Sequence, residues 1–357
     1  MNSDFVCPKV DAAISGKESW QAPSNIALVK YWGKYGEQLP KNSSLSFTLN
    51  KSTTTTTVAY KPNDSKGTSV GFRFLFEGQE RVDFHPKLEA FFTRILPYQP
   101  FLSSLELHIS SSNSFPHSSG IASSASAYAA LAAALVAIEK SIAPERSNLY
   151  WLQKTSFLAR LGSGSAARSI EGPMMIWGSH PQLKESSNDF AVKHAAIAPL
   201  FQDFQDCILL VDKGQKAVSS SLGHGLMQGH PFAAARFEQA QQNTQQLASV
   251  LAEGDLEAFI RIVESEALTL HAMMQTSNPY FVLMRPNTLH IIEAIWAFRR
   301  ETKTPVCFTL DAGANVHVLY PKEAAAKVLP WIKERLLDYC QAGAYLLDSV
   351  GEGVKKM

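Results

Sequence analysis

Four short segments of the 357-residue chain carry side chains that can do chemistry. The first is FPHSSGIASSAS, residues 115–126, where Gly120 and five serines precede an alanine-rich stretch. A Gly/Ser loop opening a helix offers backbone N–H groups and the positive end of the helix dipole to an anion. It is not a Walker A loop, because GxxxxGK[ST] occurs nowhere in the chain. The second is ARLGSGSAARS, residues 159–169, in which small residues lead to Arg168, a side chain suited to a forked grip on carboxylate or phosphate. The third is NIALVKYWGK, residues 25–34, with Lys30 and Lys34 flanking Tyr31, Trp32 and Gly33. The fourth is FTLDAGAN, residues 308–315, where Asp311 closes an apolar run and can orient a hydroxyl or accept its proton. Each has an ordinary explanation in isolation: a Ser-capped core helix, a flexible turn, a solvated strand end and an Asx turn.

The elements around these segments define how they are held. Residues 24–33, 45–60, 69–76 and 104–111 read as strands, rich in β-branched and aromatic residues. Residues 123–139 read as a helix that is small or apolar on every side, hence buried. A further helix is expected near 149–160. Beyond residue 200 come a strand at 206–212 and amphipathic helices near 232–252, 255–274 and 287–301. Strands at 305–310 and 315–320 and a helix at 322–338 follow. Strands grouped before helices indicate α+β architecture, with a first domain over 1–200 and a second over 201–357.

Composition narrows the function. The apolar fraction of 45% supports a sizeable core, and a net charge of +1 argues against a general nucleic-acid binder. Cys7, Cys207, Cys307 and Cys340 form no CxxC pair and no zinc-like spacing, so reduced thiols are expected. The N-terminal residues lack the apolar core of a signal peptide, and no apolar run reaches the ~20 residues that span a bilayer. A cytoplasmic protein is expected.

Taken together, NIALVKYWGK, NSS at 42–44, FPHSSGIASSAS, ARLGSGSAARS and TLDAGAN resemble, in order and spacing, the mevalonate diphosphate decarboxylases of the GHMP kinase superfamily. The resemblance runs from about residue 22 to 320. It implies a two-domain GHMP kinase fold, with an N-terminal part like domain 2 of ribosomal protein S5, a ferredoxin-like C-terminal part and a cleft between them. It implies ATP and Mg²⁺ as cofactors, 3-phosphorylation of mevalonate 5-diphosphate, and loss of phosphate and CO₂ to give isopentenyl diphosphate. Asp311, Lys30 and Arg168 match the catalytic residues. Tyr31, Lys34, Ser163, Ser165, Arg168 and Ser220 match the substrate site. Asn42, Ser43, Ser44, Pro116, Ser118, Ser119, Gly120, Ala122, Ser123 and Ser124 are expected toward ATP, with Ser123 or Ser124 as the Mg²⁺ ligand. A homodimer is implied as well. The chain departs from the family pattern at Ala314, usually Pro, at Ala167, usually Cys, and at Tyr35 and Gly36, usually an Arg-Asp pair. The same residues leave open a relative acting on mevalonate monophosphate, a mevalonate 3-kinase, or a non-catalytic GHMP-fold sensor.

Overall fold

The computed structural model describes residues 3–8, 14–63, 68–116, 121–214 and 220–357. Its first half contains strands β1 (Gly16–Val29), β2 (Lys34–Tyr35), β3 (Leu39–Pro40), β4 (Ser44–Pro62), β5 (Gly71–Phe76) and β6 (Gln79–Glu80), then helix α1 (His85–Ile95) and β7 (Leu105–Asn113). Helices α2 (Ser123–Lys140) and α3 (Asn148–Gly162), strands β8 (Met174–Trp177) and β9 (Val192–Lys193), and the short α4 (Pro199–Gln202) follow. The second half comprises β10 (Gln205–Leu209), α5 (Ser220–Gly225), α6 (Ala233–Glu253), α7 (Leu256–Gln275), α8 (Pro286–Thr302), β11 (Cys307–Leu310), β12 (Val316–Tyr320), α9 (Ala325–Arg335), β13 (Tyr345–Ser349) and β14 (Lys355–Lys356).

An eight-stranded sheet runs β14-β1-β4-β7-β5-β6, with β8 on the first half of β4 and β9 beside it. It is antiparallel except where β5 meets β7. Four antiparallel strands, β11-β12-β10-β13, form the second sheet. The architecture is mixed α+β, with mainly antiparallel sheets in both halves, as the grouping of strands and helices predicts. The long β4 organises the first half, because Ser44–Phe47 pair with β8 and Thr54–Pro62 with β7 while β1 runs along its other edge. The Thr53–Thr57 run lies in this strand, its threonines alternating between buried and half-buried.

The expected helix at 123–139 is α2, whose alanines are buried on several sides. Small side chains let it lie close against the sheet, between β1 and α3. Ser147 starts α3 by accepting the Tyr150 N–H at 3.1 Å, and Asp255 does the same for α7 with Ala258 at 3.0 Å. Two expectations need adjusting. The strand expected over 24–33 begins at Gly16 and ends at Val29, so Lys30 lies just beyond it. Register shifts between Pro23 and Asn25 and between Ala27 and Val29 turn the chain away from β4, and the Lys30 amide bonds to Glu266 instead. The helix expected over 322–338 is shorter: α9 covers 325–335 between two 3-10 turns.

One core fills the space between the first sheet and α1, α2 and α3. A second joins the two halves, packing Ile26, Leu28 and Phe47 against Phe201, Phe204, Leu247 and Phe259. Asp348 ties the halves further, accepting the backbone N–H groups of Asn50, Lys51 and Ser52 at 2.9, 2.8 and 2.7 Å. All four cysteines are free and buried. Among the described residues no helix is long and apolar enough to cross a membrane.

Inside the first core, Glu139 and Lys154 form an ion pair that is almost wholly buried, with Gln99 Nε2 donating to Glu139 at 2.8 Å. Removing one partner of such a pair strands a buried charge, at a cost of about 3–5 kcal/mol, whereas an apolar replacement of both costs far less. Lys154→Met is therefore expected to lower the urea midpoint sharply, and Lys154→Met with Glu139→Leu to recover much of it. Urea unfolding of the three proteins checks this; a single variant as stable as wild type would contradict it.

Candidate active site

The first site element is the turn that follows β1. Lys30 Nζ donates to Ala27 O at 2.6 Å and pairs with Asp311 Oδ1 at 3.2 Å, although the lysine side chain is only 2% exposed. Burial holds the ammonium below the ordinary lysine value, and the Asp311 carboxylate draws it part of the way back. The Lys30 backbone is held from both halves of the chain. Its N–H donates to Glu266 Oε2 at 2.9 Å, and its carbonyl accepts from Asn42 Nδ2 at 2.9 Å and Arg236 Nη2 at 3.4 Å. Glu266 and Arg236, both buried, also bind each other in a two-pronged pair at 2.8 and 2.5 Å.

Asp311 lies directly after β11, where the chain leaves the second sheet. Its carbonyl binds His271 Nε2 at 3.1 Å, which anchors the turn to α7. Burial pushes the His271 imidazole down to about 4, so it is neutral near pH 7.

Arg168 sits in the 3-10 turn Gly164–Ser169. The alternation of strand side chains puts Asn25 on one face of β1 and Ser44 and Ser46 on the facing side of β4. Arg168 Nη1 donates to Ser44 Oγ at 2.6 Å and Nε to Ser46 Oγ at 3.1 Å, while Nε and Nη2 both reach Asn25 Oδ1 at 3.4 Å. Asn25 is itself fixed by donating to Ser165 O at 3.0 Å and Ser169 Oγ at 2.8 Å. A guanidinium has five N–H donors. These contacts leave one on each terminal nitrogen without a partner among the described residues. Burial pushes Arg168 down to about 10, and the Asp311 charge opposes that shift, so it is cationic at neutral pH.

Lys30, Arg168 and Asp311 line one cavity of about 620 Å³ with Tyr31, Lys34, Ser123, Ser124, Ser163 and Ser165. The Ser124 hydroxyl meets Ser163 Oγ at 3.2 Å, and Ser163 meets Ser165 at 3.4 Å, so a row of hydroxyls joins the start of α2 to the arginine turn. The glycines here serve close approach. A Cβ on Gly164 would come within 2.8 Å of both Trp177 and the Tyr31 hydroxyl. The Tyr31 hydroxyl is buried with no partner among the described residues.

Ala122 also lines the cavity. Pro116 stands at the far end of the expected phosphate loop; Ser118, Ser119 and Gly120 lie outside the described residues, as does the side chain of Ser220. Asn42, Ser43 and Ser44, expected toward ATP, are instead fully buried behind the cavity. Asn42 holds the Lys30 carbonyl, Ser43 binds Gln241 and Ser44 holds Arg168. Their strand-entry position behind Arg168 leaves them no open face. Sequence reading missed Asn25, Glu266, Arg236 and His271. Glu266 and Arg236 had a signal, since each falls on the buried stripe of its amphipathic helix, where an unpaired charge is costly. Lys87, Arg94 and His224, also in the cavity wall, had none.

A cation-rich cavity at the start of a buried helix faces one carboxylate across a two-part α+β fold, an arrangement suited to an enzyme that acts on a phosphorylated, carboxylated ligand. The profile of the diphosphomevalonate decarboxylase-like N-terminal domain matches residues 22–188, and that of the mevalonate 5-diphosphate decarboxylase C-terminal domain matches 207–348. The diphosphomevalonate decarboxylase of Ganoderma lucidum is 32% identical over 334 residues, covering 87% of this chain and 80% of the relative. Mevalonate diphosphate decarboxylase from Staphylococcus aureus superposes with a TM-score of 0.81 at 27% identity, covering 98% of this chain and all of that one. A structure of MDDEF in complex with MVAPP, AMPPCP and magnesium also reaches 0.81 at 27% identity, over 96% of this chain and 99% of the other. The chain belongs to the diphosphomevalonate decarboxylase family.

Arg168 gives the sharpest test of this geometry. Lysine keeps the charge but not the planar fork. Arg168→Lys is expected to retain partial activity. Arg168→Ala should lose most of it, since each charge-assisted hydrogen bond is worth about 1.5–3 kcal/mol. Steady-state kinetics beside a melting curve measure this; normal kinetics in the alanine variant would leave Arg168 with a structural role only.

Proposed function

We propose that this protein catalyses the ATP-dependent decarboxylation of mevalonate 5-diphosphate to isopentenyl diphosphate, releasing ADP, phosphate and CO₂. The observation that carries this reading is the grouping of Lys30, Asp311 and Arg168 around one cavity, with two N–H groups of Arg168 still available to an anion.

In this reading Asp311 orients the tertiary 3-hydroxyl and accepts its proton as oxygen attacks the γ-phosphorus of ATP, while the bond from that phosphorus to the bridging oxygen breaks and its electron pair leaves with ADP. Phosphoryl transfer asks mainly for positioning and charge neutralisation, which Lys30 and the N–H groups at the start of α2 supply. The C–O bond to the new phosphate then breaks with its electron pair, and positive charge grows at the tertiary carbon, facing Asp311. The carboxylate of the substrate, held by Arg168, leaves as CO₂, and its C–C bonding pair forms the double bond. The leaving phosphate serves as the electron sink.

Ser163 and Ser165 lie beside Arg168 at the same end of the substrate, and Tyr31 and Lys34 serve the diphosphate, with Ser220 as a further candidate there. Mg²⁺ carried on a nucleotide keeps several waters and takes few protein ligands. The half-buried Ser123 and exposed Ser124, both open to the cavity, fit that need. Bound there, the ion would neutralise phosphate charge. A homodimer and a cytoplasmic location belong to the same proposal and rest on family membership.

Purified protein incubated with ATP, Mg²⁺ and either mevalonate, its monophosphate or its diphosphate tests the assignment. The expected product mass is that of isopentenyl diphosphate, from the diphosphate alone or at much the highest kcat/KM. Equal turnover of the monophosphate, or a phosphorylated product that keeps its carboxylate, would overturn it.

A further inference from the structure

The cavity wall contains an imidazole that the mechanism above does not use. His224 lies in α5, is 8% exposed, and lines the cavity together with Lys34, Tyr31 and Arg168. Its ring is held between two aromatic neighbours, with centroids 4.2 Å from Tyr31 and 4.7 Å from Trp32. Gly33 N–H donates to His224 Nδ1 at 2.9 Å. A nitrogen that accepts a backbone N–H carries no proton of its own, so in the neutral ring the proton sits on Nε2. Nε2 has no partner among the described residues. Burial, together with the charges of Lys34 and Arg168, pushes the imidazole down to about 3, so the ring is neutral across the working pH range.

This arrangement presents a fixed, uncharged N–H donor. It lines the same cavity as Lys34, whose ammonium donates to Gln38 Oε1 at 3.0 Å and is held below its ordinary value by burial and by Arg94. Its ring packs on that of Tyr31, whose hydroxyl is enclosed without a partner among the described residues. Three donors of different kinds thus line one cavity, at the place where the Gly33 turn after β1 is bonded to α5. Their shared complement is an acceptor-rich anion. We propose that His224 is a further substrate-binding residue, donating its Nε2–H to the phosphate end of the substrate, with Gly33 as the positioning group that selects the tautomer. This rests on the assignment of mevalonate diphosphate as the substrate.

The test combines imidazole NMR with kinetics. In ¹⁵N-labelled wild-type protein the His224 ring is expected to show a protonated Nε2 and a bare Nδ1 from pH 8 to about pH 5. Adding mevalonate diphosphate, or inorganic pyrophosphate as a simpler probe, should shift the Nε2 resonance. His224→Phe keeps a ring but removes the donor, and KM for the diphosphate is expected to rise about tenfold or more. The effect should fall on KM more than on kcat. His224→Gln, whose amide nitrogen can occupy the place of Nε2, should recover part of the loss. A proton on Nδ1, an Nε2 resonance indifferent to both ligands, or a folded Phe variant with unchanged KM would each overturn the proposal. The NMR readout decides even if neither variant folds. If wild type turns over mevalonate diphosphate while Nε2 ignores it, only the role of His224 fails. If wild type does not turn it over, the functional assignment fails and takes this proposal with it.

Discussion

Two buried cations set the terms for the rest of the site. Lys30 and Arg168 are each about 2% exposed, and taking a charge out of water costs several kcal/mol unless partners replace the lost solvation. The partners come from both halves of the chain. Lys30 is neutralised by Asp311 and framed by the Glu266–Arg236 pair, both from the second half, while it leaves β1 of the first. Arg168 is surrounded by neutral acceptors, Asn25, Ser44 and Ser46, with no carboxylate in ion-pair contact among the described residues. Such a site is electrostatically incomplete, and an anionic substrate would complete it. In the proposed function, binding and catalysis then draw on one source, a positive field prepared in a low-dielectric pocket.

The fold keeps that field rigid. β1 and β4 supply Asn25, Ser44 and Ser46 through plain strand alternation, so the arginine cradle is part of the sheet. Glycine and serine at 162–165 let the turn carrying Arg168 lie against Trp177 and Tyr31. β11 and β12, on either side of the Asp311 turn, contribute Cys307 and Leu319 to the apolar core shared by the two halves. Sites built on strands and packed turns hold their geometry more tightly than sites on loops. The few ångströms between Lys30 and Asp311 depend on that packing, since the two residues lie 281 positions apart in the chain.

Much of this was legible in the sequence because it is local. The all-round small helix after the serine loop is α2, and the strand–turn pattern around Asp311 is β11 and its turn. Lys30, Arg168 and Asp311 stood out as candidates by residue type, their expected roles came from the family resemblance, and the structure brings the three to one cavity. What escaped was long-range pairing. Nothing local distinguishes Asn25 from any polar strand residue, yet it orients Arg168 from 143 positions away. Asn42–Ser44 were expected toward ATP from the family resemblance alone, and their distant bonds to the Lys30 carbonyl and to Arg168 have no local signal. The early end of β1 was hidden for a related reason: the acceptor that diverts the Lys30 amide belongs to Glu266, 236 residues distant.

The central claim is that the Lys30–Asp311 pair acts in the transition state rather than as structural glue. Asp311→Asn separates the two, because it preserves size and most hydrogen bonding while removing the charge. An interaction made chiefly in the transition state lowers kcat and leaves KM nearly unchanged. The decisive measurement is kcat of this variant, taken with its melting temperature and nucleotide affinity on one preparation. The account predicts a fall in kcat of about 10²–10⁴-fold, the usual range for a general base, in a protein that still folds and binds ATP. A folded variant within a few-fold of wild-type turnover would contradict it.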